Sequence, residues 1–149
     1  MLICGPNGAG KTVLVNYLAT GEFRDTVSSF DDTLVSIKES TYWEIPGHFH
    51  LRSKLIKAAE GAKVIVLLLD SKDREKFTEA GWILFDLLNN NTVNENQTPI
   101  IIACNKQDLQ FAKKSTVIEL ELEKQVEEFK KVRLQEWDDD DYQEGVLEL

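Results

Sequence analysis

The apolar positions of this chain fall into runs and alternations that predict five strands. Three segments, residues 2–4, 64–69 and 100–104, are continuously apolar. A run without polar interruption is typical of a parallel strand covered on both faces, so these three strands are predicted to be buried. Residues 33–38 alternate apolar and polar side chains, and residues 41–45 are rich in β-forming types, which predicts two more strands.

Helical segments separate these strands. Apolar side chains spaced three and four positions apart predict helices over residues 10–19, 51–59, 71–88 and 115–134. The polar segments 22–32 and 89–98 are predicted to be loops. Strands that alternate with helices predict an α/β fold, a doubly wound and mostly parallel sheet with helices on both faces. Ligands of such sheets bind at the carboxyl ends of the strands.

Composition and charge narrow the class of protein. The chain of 149 residues is long enough for one domain, residues 1–149, and its composition is typical of a soluble globular protein. The net charge of −9 argues against a direct nucleic-acid partner, because phosphate binding needs a basic face. Cys4 and Cys104 lie far apart in apolar runs, which favours a reduced, cytosolic domain without a disulfide framework.

Both ends of the chain are expected to be truncated. The first strand is shorter than a central strand of ~5–6 residues, and the chain stops at Leu149 without a closing helix. Residues 135–149 are interpreted as an acidic loop or tail. The run of acidic residues at 136–141 is expected to be solvated, with a partner-docking patch as the alternative.

The first chemical motif lies between the first strand and the first helix. Residues 5–12 read G-P-N-G-A-G-K-T and fit the phosphate-binding loop pattern G-x-x-x-x-G-K-[ST]. The predicted nucleotide-binding residues are Asn7, Gly8, Ala9, Gly10, Lys11 and Thr12. Glycines let successive backbone N–H groups point at a phosphate, and the helix start adds its positive dipole end. The lysine can reach the β- and γ-phosphates and the threonine hydroxyl can bind Mg²⁺, whereas the alternative is a glycine-rich turn with a chance lysine.

The second motif, Asn105-Lys106-Gln107-Asp108, directly follows the last predicted strand. Beside a phosphate loop this tetrapeptide is typical of guanine recognition. Asp108 can accept two hydrogen bonds from the guanine edge, and adenine would leave that carboxylate unpaired. Lys106 can lie over the base, and Asn105 can connect this loop to the phosphate loop.

A third segment, residues 43–48, has the position of a nucleotide-sensing switch. Glu44 is a candidate water-bridged Mg²⁺ ligand, where D-x-x-G switches have aspartate. The Gly47 N–H is a candidate contact to the γ-phosphate. His48 is a candidate catalytic residue that positions water, with an ordinary exposed loop histidine as the alternative.

The three motifs resemble those of small Ras-like GTPases, and D-S-K-D-R-E at 70–75 and N-K-Q-D-L at 105–109 resemble the Arf-like branch. Within it, T-G-E-F-R-D-T at 20–26, P-G-H at 46–48, L-R at 51–52 and I-A-C-N-K-Q-D at 102–108 look like the β subunits of the signal recognition particle receptor. The resemblance covers residues 1 to about 134. It implies a P-loop GTPase fold that lacks its last strand and helix here, with GTP and Mg²⁺ as cofactors and Ser29 as a second Mg²⁺ ligand.

The resemblance also implies a role. Such a domain binds the N-terminal domain of the receptor α subunit in its GTP state, on the cytosolic face of the endoplasmic reticulum membrane. The family's membrane segment is absent from this sequence. Asn7, Glu44 and His48 predict slow intrinsic hydrolysis of GTP. The alternatives are an Arf-like traffic GTPase with its own hydrolytic cycle and, more distantly, a P-loop ATPase or kinase.

Overall fold

A computed structural model describes the backbone of residues 1–23, 33–37, 40–44 and 52–144, and the side chains of residues 1–23 and 52–135. The strands are β1 (Leu2–Cys4), β2 (Thr33–Ile37), β3 (Ser40–Glu44), β4 (Ile65–Asp70) and β5 (Ile100–Asn105). The helices are α1 (Lys11–Thr20), α2 (Arg52–Glu60), α3 (Phe77–Leu88), α4 (Asn91–Glu95) and α5 (Ser115–Glu144).

The five strands form one sheet in the order β2-β3-β1-β4-β5. β1 runs parallel to both β3 and β4, and β4 runs parallel to β5. Only β2, which pairs with β3, is antiparallel within the described sheet. The prediction of a mostly parallel sheet is confirmed, and the carboxyl ends of β1, β3, β4 and β5 share one edge.

The core is divided between the two faces of the sheet. On one face, side chains of β1 and β4 pack with α2, α3 and α5 around Leu55, Phe85 and Leu122. On the other face, Ile3 and Val66 pack against Val15 of α1. Because successive side chains of a strand point to opposite faces, the uninterrupted apolar runs in β1 and β4 supply both layers. The predicted helices on both faces are confirmed.

The connection after β4 was predicted wrongly as part of a helix. Residues 71–73 form a turn, Arg74–Lys76 is a 3₁₀ turn, and α3 begins only at Phe77. The Asp70 Oδ1 atom accepts a hydrogen bond from the Lys72 N–H at 2.9 Å, and the Ser71 N–H donates to the Asn105 carbonyl at 3.0 Å. These bonds compete with helical hydrogen bonding in the first turn.

The loop predicted over residues 89–98 contains the short helix α4. Asn90 is its N-cap, and the Asn90 side chain accepts a hydrogen bond from the Val93 N–H at 2.9 Å. Val93 is buried in the main core. One capping side chain and one apolar anchor are therefore enough to order this turn of helix.

The predicted burial of the strand at 100–104 is wrong. β5 is the outer strand of the described sheet, and Ile101 and Ile102 are 52% and 37% exposed. Burial of a strand depends on its place in the sheet, which an apolar run does not specify.

The acidic segment was also predicted wrongly, as a loop from residue 135. Helix α5 continues through it to Glu144. The first glycine or proline after Ser115 is Gly145, so the charged run contains no residue that stops a helix. No helix in the described part of the chain has the length and apolar character needed to cross a membrane.

Candidate functional site

The phosphate loop leaves β1 through Gly5 and enters α1 after Gly10. Gly5, Gly8 and Gly10 have φ of 138°, 82° and 99°, a region that other residues adopt at a cost. A Cβ atom on Gly5 would stand 1.9 Å from the Leu68 carbonyl oxygen. The loop therefore crosses the end of β4 at a distance that only glycine permits.

The start of α1 has the features of an anion-binding helix terminus. Its N-cap is Gly10, which provides no side-chain cap, and its first turn contains no acidic residue. The Lys11 side chain is only 5% exposed, and its Nζ donates to the Gly5 and Pro6 carbonyls, both at 2.9 Å. The lysine charge is thus held inside the loop, beside the positive end of the helix dipole.

The Asn105–Asp108 motif lies against the phosphate loop, as the sequence predicts. The Asn105 Nδ2 donates to the Ala9 carbonyl at 2.9 Å, and the Lys106 Nζ donates to the Gly8 carbonyl at 2.8 Å. Lys106 also has a left-handed backbone with φ of 61°, which turns the chain sharply at the end of β5. Two side-chain hydrogen bonds therefore join motifs that lie 96 and 98 positions apart in the sequence.

Asp108 is exposed at the tip of this loop. Its carboxylate makes no hydrogen bond or ion pair with any other part of the chain that the structure describes. A carboxylate held on a fixed loop next to a phosphate cradle is able to accept the paired N–H donors of a guanine edge.

Two residues that the sequence analysis assigned no role, Asp70 and Ser71, contact the Asn105–Asp108 motif. Asp70 Oδ2 lies 2.7 Å from Lys106 Nζ, and the buried Ser71 Oγ accepts from Gln107 Nε2 at 2.6 Å. Partial burial acts to raise the pKa of Asp70, but the bonds from Lys106 and from the Lys72 N–H hold this pKa below its usual value. One sequence signal could have identified Asp70 and Ser71 as site residues, because both are polar and follow the apolar run of a predicted parallel strand.

Cys4, the residue before the phosphate loop, has a buried thiol. Burial raises the pKa of Cys4 to about 12, and the nearby Lys11 charge lowers it by less. A thiol with this pKa stays protonated at neutral pH and is a poor nucleophile.

Four of the predicted site residues lie partly or wholly outside the described residues. Ser29, Gly47 and His48 fall in undescribed segments, and of Glu44 only the backbone is described. Glu44 ends β3, and its backbone is in register with Ile3 of β1. The main chain of Glu44 therefore reaches the same sheet edge as the phosphate loop.

The described residues fit a guanine nucleotide with Mg²⁺. Space is open beside Gly8, where an added Cβ would meet nothing within 4 Å. The Lys11 charge and the α1 terminus suit phosphates, the half-buried Thr12 supplies a hydroxyl for a hard cation, and Asp108 suits the base.

The sheet order, the glycine cradle and the adjacent base-reading loop define a P-loop domain with the GTPase fold. The family model described as "Signal recognition particle receptor beta subunit" matches residues 1–148. The chain therefore belongs to the family of signal recognition particle receptor β subunits.

Individual relatives agree with this assignment. The chain is 31% identical to signal recognition particle receptor subunit beta of Mus musculus over 135 residues, covering 85% of this chain and 50% of that protein. It is 32% identical to the same-named protein of Saccharomyces cerevisiae, covering 100% of this chain and 68% of the relative. A solved structure of the mammalian signal recognition particle receptor matches with a TM-score of 0.70 and 29% identity, covering 84% of this chain and 71% of that chain. The chain thus spans about half the length of the mouse relative.

Proposed function

We propose that this domain binds guanine nucleotides with Mg²⁺ and that its GTP-bound form binds the N-terminal domain of the signal recognition particle receptor α subunit. One observation carries the nucleotide part of the proposal. Asn105 and Lys106 are hydrogen-bonded to the carbonyls of Ala9 and Gly8, so the base-reading and phosphate-binding loops form one unit.

Each residue of the site has a distinct task. The backbone from Asn7 to Thr12 and the Lys11 ammonium bind the phosphates. Thr12 and Ser29 bind the metal, with Glu44 acting through a water molecule. A Mg²⁺ ion held by these residues would supply positive charge beside the phosphates. Asp108 selects guanine by accepting its paired N–H donors.

The switch chemistry favours a long-lived GTP state. A side chain at Asn7 crowds the γ-phosphate, and Glu44 and His48 replace the aspartate and glutamine that support attack by water. The Gly47 N–H and the Ser29 hydroxyl sense the γ-phosphate, since a ligand shifts a loop only through differential contacts. GTP binding, more than its hydrolysis, is then the signal.

The cellular role follows from the family. The relatives are named as subunits of the signal recognition particle receptor. We infer that the protein acts at the cytosolic face of the endoplasmic reticulum during co-translational protein targeting. It would be attached to that membrane through a segment that is not in this sequence.

Nucleotide selectivity tests the first half of the proposal. Fluorescent GTP should bind the full chain and be displaced by GDP but not by ATP. Asp108→Asn should shift preference from GTP toward XTP, because the amide can donate to the 2-oxygen of xanthine. Asp73→Asn, an equal charge change on the turn after β4, is the matched control. An Asp108→Asn variant with the parent's GTP preference would refute the base assignment.

Partner binding tests the second half. The receptor α subunit's N-terminal domain should be retained by the chain loaded with GTP and not by the chain loaded with GDP. Single-turnover hydrolysis without the partner should take many minutes. Rapid unassisted hydrolysis, or equal retention in both nucleotide states, would refute this part of the proposal and favour the Arf-like alternative with its own hydrolytic cycle.

A further inference from the structure

The Lys106 ammonium is held between two elements of the fold. It donates to the Gly8 carbonyl at 2.8 Å, in the phosphate loop, and to Asp70 Oδ2 at 2.7 Å, at the end of β4. Asp70 is itself fixed, because its Oδ1 atom accepts from the Lys72 N–H and its backbone is in register with Asn105. The carboxylate therefore determines where the lysine stem lies above the loop.

The residue after Asp70 fixes the same loop independently. The buried Ser71 hydroxyl accepts from the Gln107 side chain, and the Ser71 carbonyl accepts from the Lys113 N–H at 2.7 Å. The Gln107 Nε2 also donates to the Lys113 carbonyl at 2.9 Å. The Ser71 N–H also donates to the Asn105 carbonyl at 3.0 Å, so Ser71 is bonded to this loop at residues 105, 107 and 113.

We propose that Asp70 is a positioning residue for guanine-nucleotide binding, which acts by holding the Lys106 ammonium against the phosphate loop. The inference rests on the proposed guanine-nucleotide site and goes beyond it, because among the described residues the Asp70 carboxylate makes no hydrogen bond or ion pair with the Gly5–Thr12 loop or with Asp108. Asp70 sets the position of a side chain before the nucleotide arrives, so that binding does not have to order a free lysine.

The expected effect follows from the geometry. In Asp70→Asn the single amide oxygen can serve either the Lys72 N–H or Lys106, and the amide N–H₂ cannot accept from an ammonium. The ion pair is partly exposed, with side chains 35% and 16% accessible, so the loss should be that of one screened, charge-assisted hydrogen bond. We expect GDP to dissociate about tenfold faster from this variant.

The test measures dissociation of fluorescent GDP from the full chain in the parent and in five variants. Asp70→Asn and Lys106→Met should each accelerate release, and the double variant should release no faster than Lys106→Met alone. Asp70→Glu keeps the charge and should recover most of the parent's slow release, although its longer side chain cannot keep the bond from the Lys72 N–H. Asp73→Asn removes the same charge three residues further along and should leave release unchanged.

Two outcomes would overturn the inference. Equal acceleration by Asp70→Asn in the parent and in the Lys106→Met background would show that Asp70 acts without Lys106. Equal rates for Asp70→Glu and Asp70→Asn would show that the turn, and not the charge, matters. A parent chain that does not bind fluorescent GDP would instead refute the proposed function, so the two failures are distinguishable.

Discussion

Replacing Gly10 with alanine should destabilise this protein more than replacing Gly21, although the two glycines cap the two ends of the same helix. Both have a positive φ, 99° at Gly10 and 75° at Gly21, so both substitutions place a Cβ in the left-handed region. The surroundings differ. An added Cβ at Gly21 would meet nothing within 4 Å, whereas at Gly10 it would stand 2.5 Å from the Asn105 Nδ2 atom.

The difference in the free energy of unfolding can be estimated from these contacts. The left-handed conformation costs alanine about 1–2 kcal/mol at either position. At Gly10 the Asn105 amide must also move away, which breaks its 2.9 Å hydrogen bond to the Ala9 carbonyl. Ala9 is buried, so its carbonyl loses a partner in a place that water does not reach easily. This adds about 1–2 kcal/mol to the cost of Gly10→Ala.

Urea unfolding followed by tryptophan fluorescence measures both costs under one nucleotide condition. Gly10→Ala should be less stable than Gly21→Ala by the energy of the lost Asn105 hydrogen bond, about 1–2 kcal/mol. This difference should disappear when both substitutions are made in an Asn105→Ala background. Equal losses for the two alanine variants in the parent, or an excess that survives removal of the Asn105 amide, would contradict the contact argument.

Two further predictions concern the same end of the sheet. Lys11→Ala should abolish tight binding of a fluorescent GTP analogue, because the phosphates lose their main counter-charge. Lys72→Ala, on the exposed turn after β4, is the control and should bind the analogue like the parent. Unchanged affinity of Lys11→Ala would refute the phosphate-loop assignment. The second prediction is a pH effect on stability. Burial raises the pKa of Cys4 from an ordinary value of 9.0 to about 12. The protonated thiol therefore contributes its full stabilisation below about pH 9, and this contribution is lost as the pH rises toward 12. The free energy of unfolding should therefore fall more steeply above pH 9 in the parent than in Cys4→Ala, by up to ~1.4 kcal/mol per pH unit. Urea unfolding at a series of pH values measures this, and parallel pH dependences for the two proteins would contradict the prediction.

The features predicted correctly are those that neighbouring residues specify. β1, the phosphate loop and α1 follow one another within 20 residues, and their glycines, lysine and apolar run carry the signal locally. Gly21, which caps the carboxyl end of α1, is an equally local feature. Its left-handed backbone, with φ of 75°, ends the helix and needs no distant partner.

The features predicted wrongly depend on residues far along the chain. The turn at 71–73 forms because Ser71 bonds to Asn105 and Gln107, and no local pattern announces those partners. Exposure of Ile101 follows from the outer position of β5 in the described sheet, which sequence periodicity does not encode. The acidic end of α5 shows the reverse error. Its charge predicts a solvated loop, but the segment contains no glycine or proline before Gly145 and continues the helix.

The hydrogen bonds that close the site also bear on the order in which it folds. Asn105 and Lys106 bond to carbonyls that lie 96 and 98 positions earlier in the chain. The phosphate loop and α1 are built from neighbouring residues, whereas these two bonds require β5 to lie beside β4 first. Contacts of such large sequence separation form late in folding, since loop closure is unfavourable until other contacts support it. We therefore expect the Asn105–Asp108 motif to join the phosphate loop only after β5 has paired with β4.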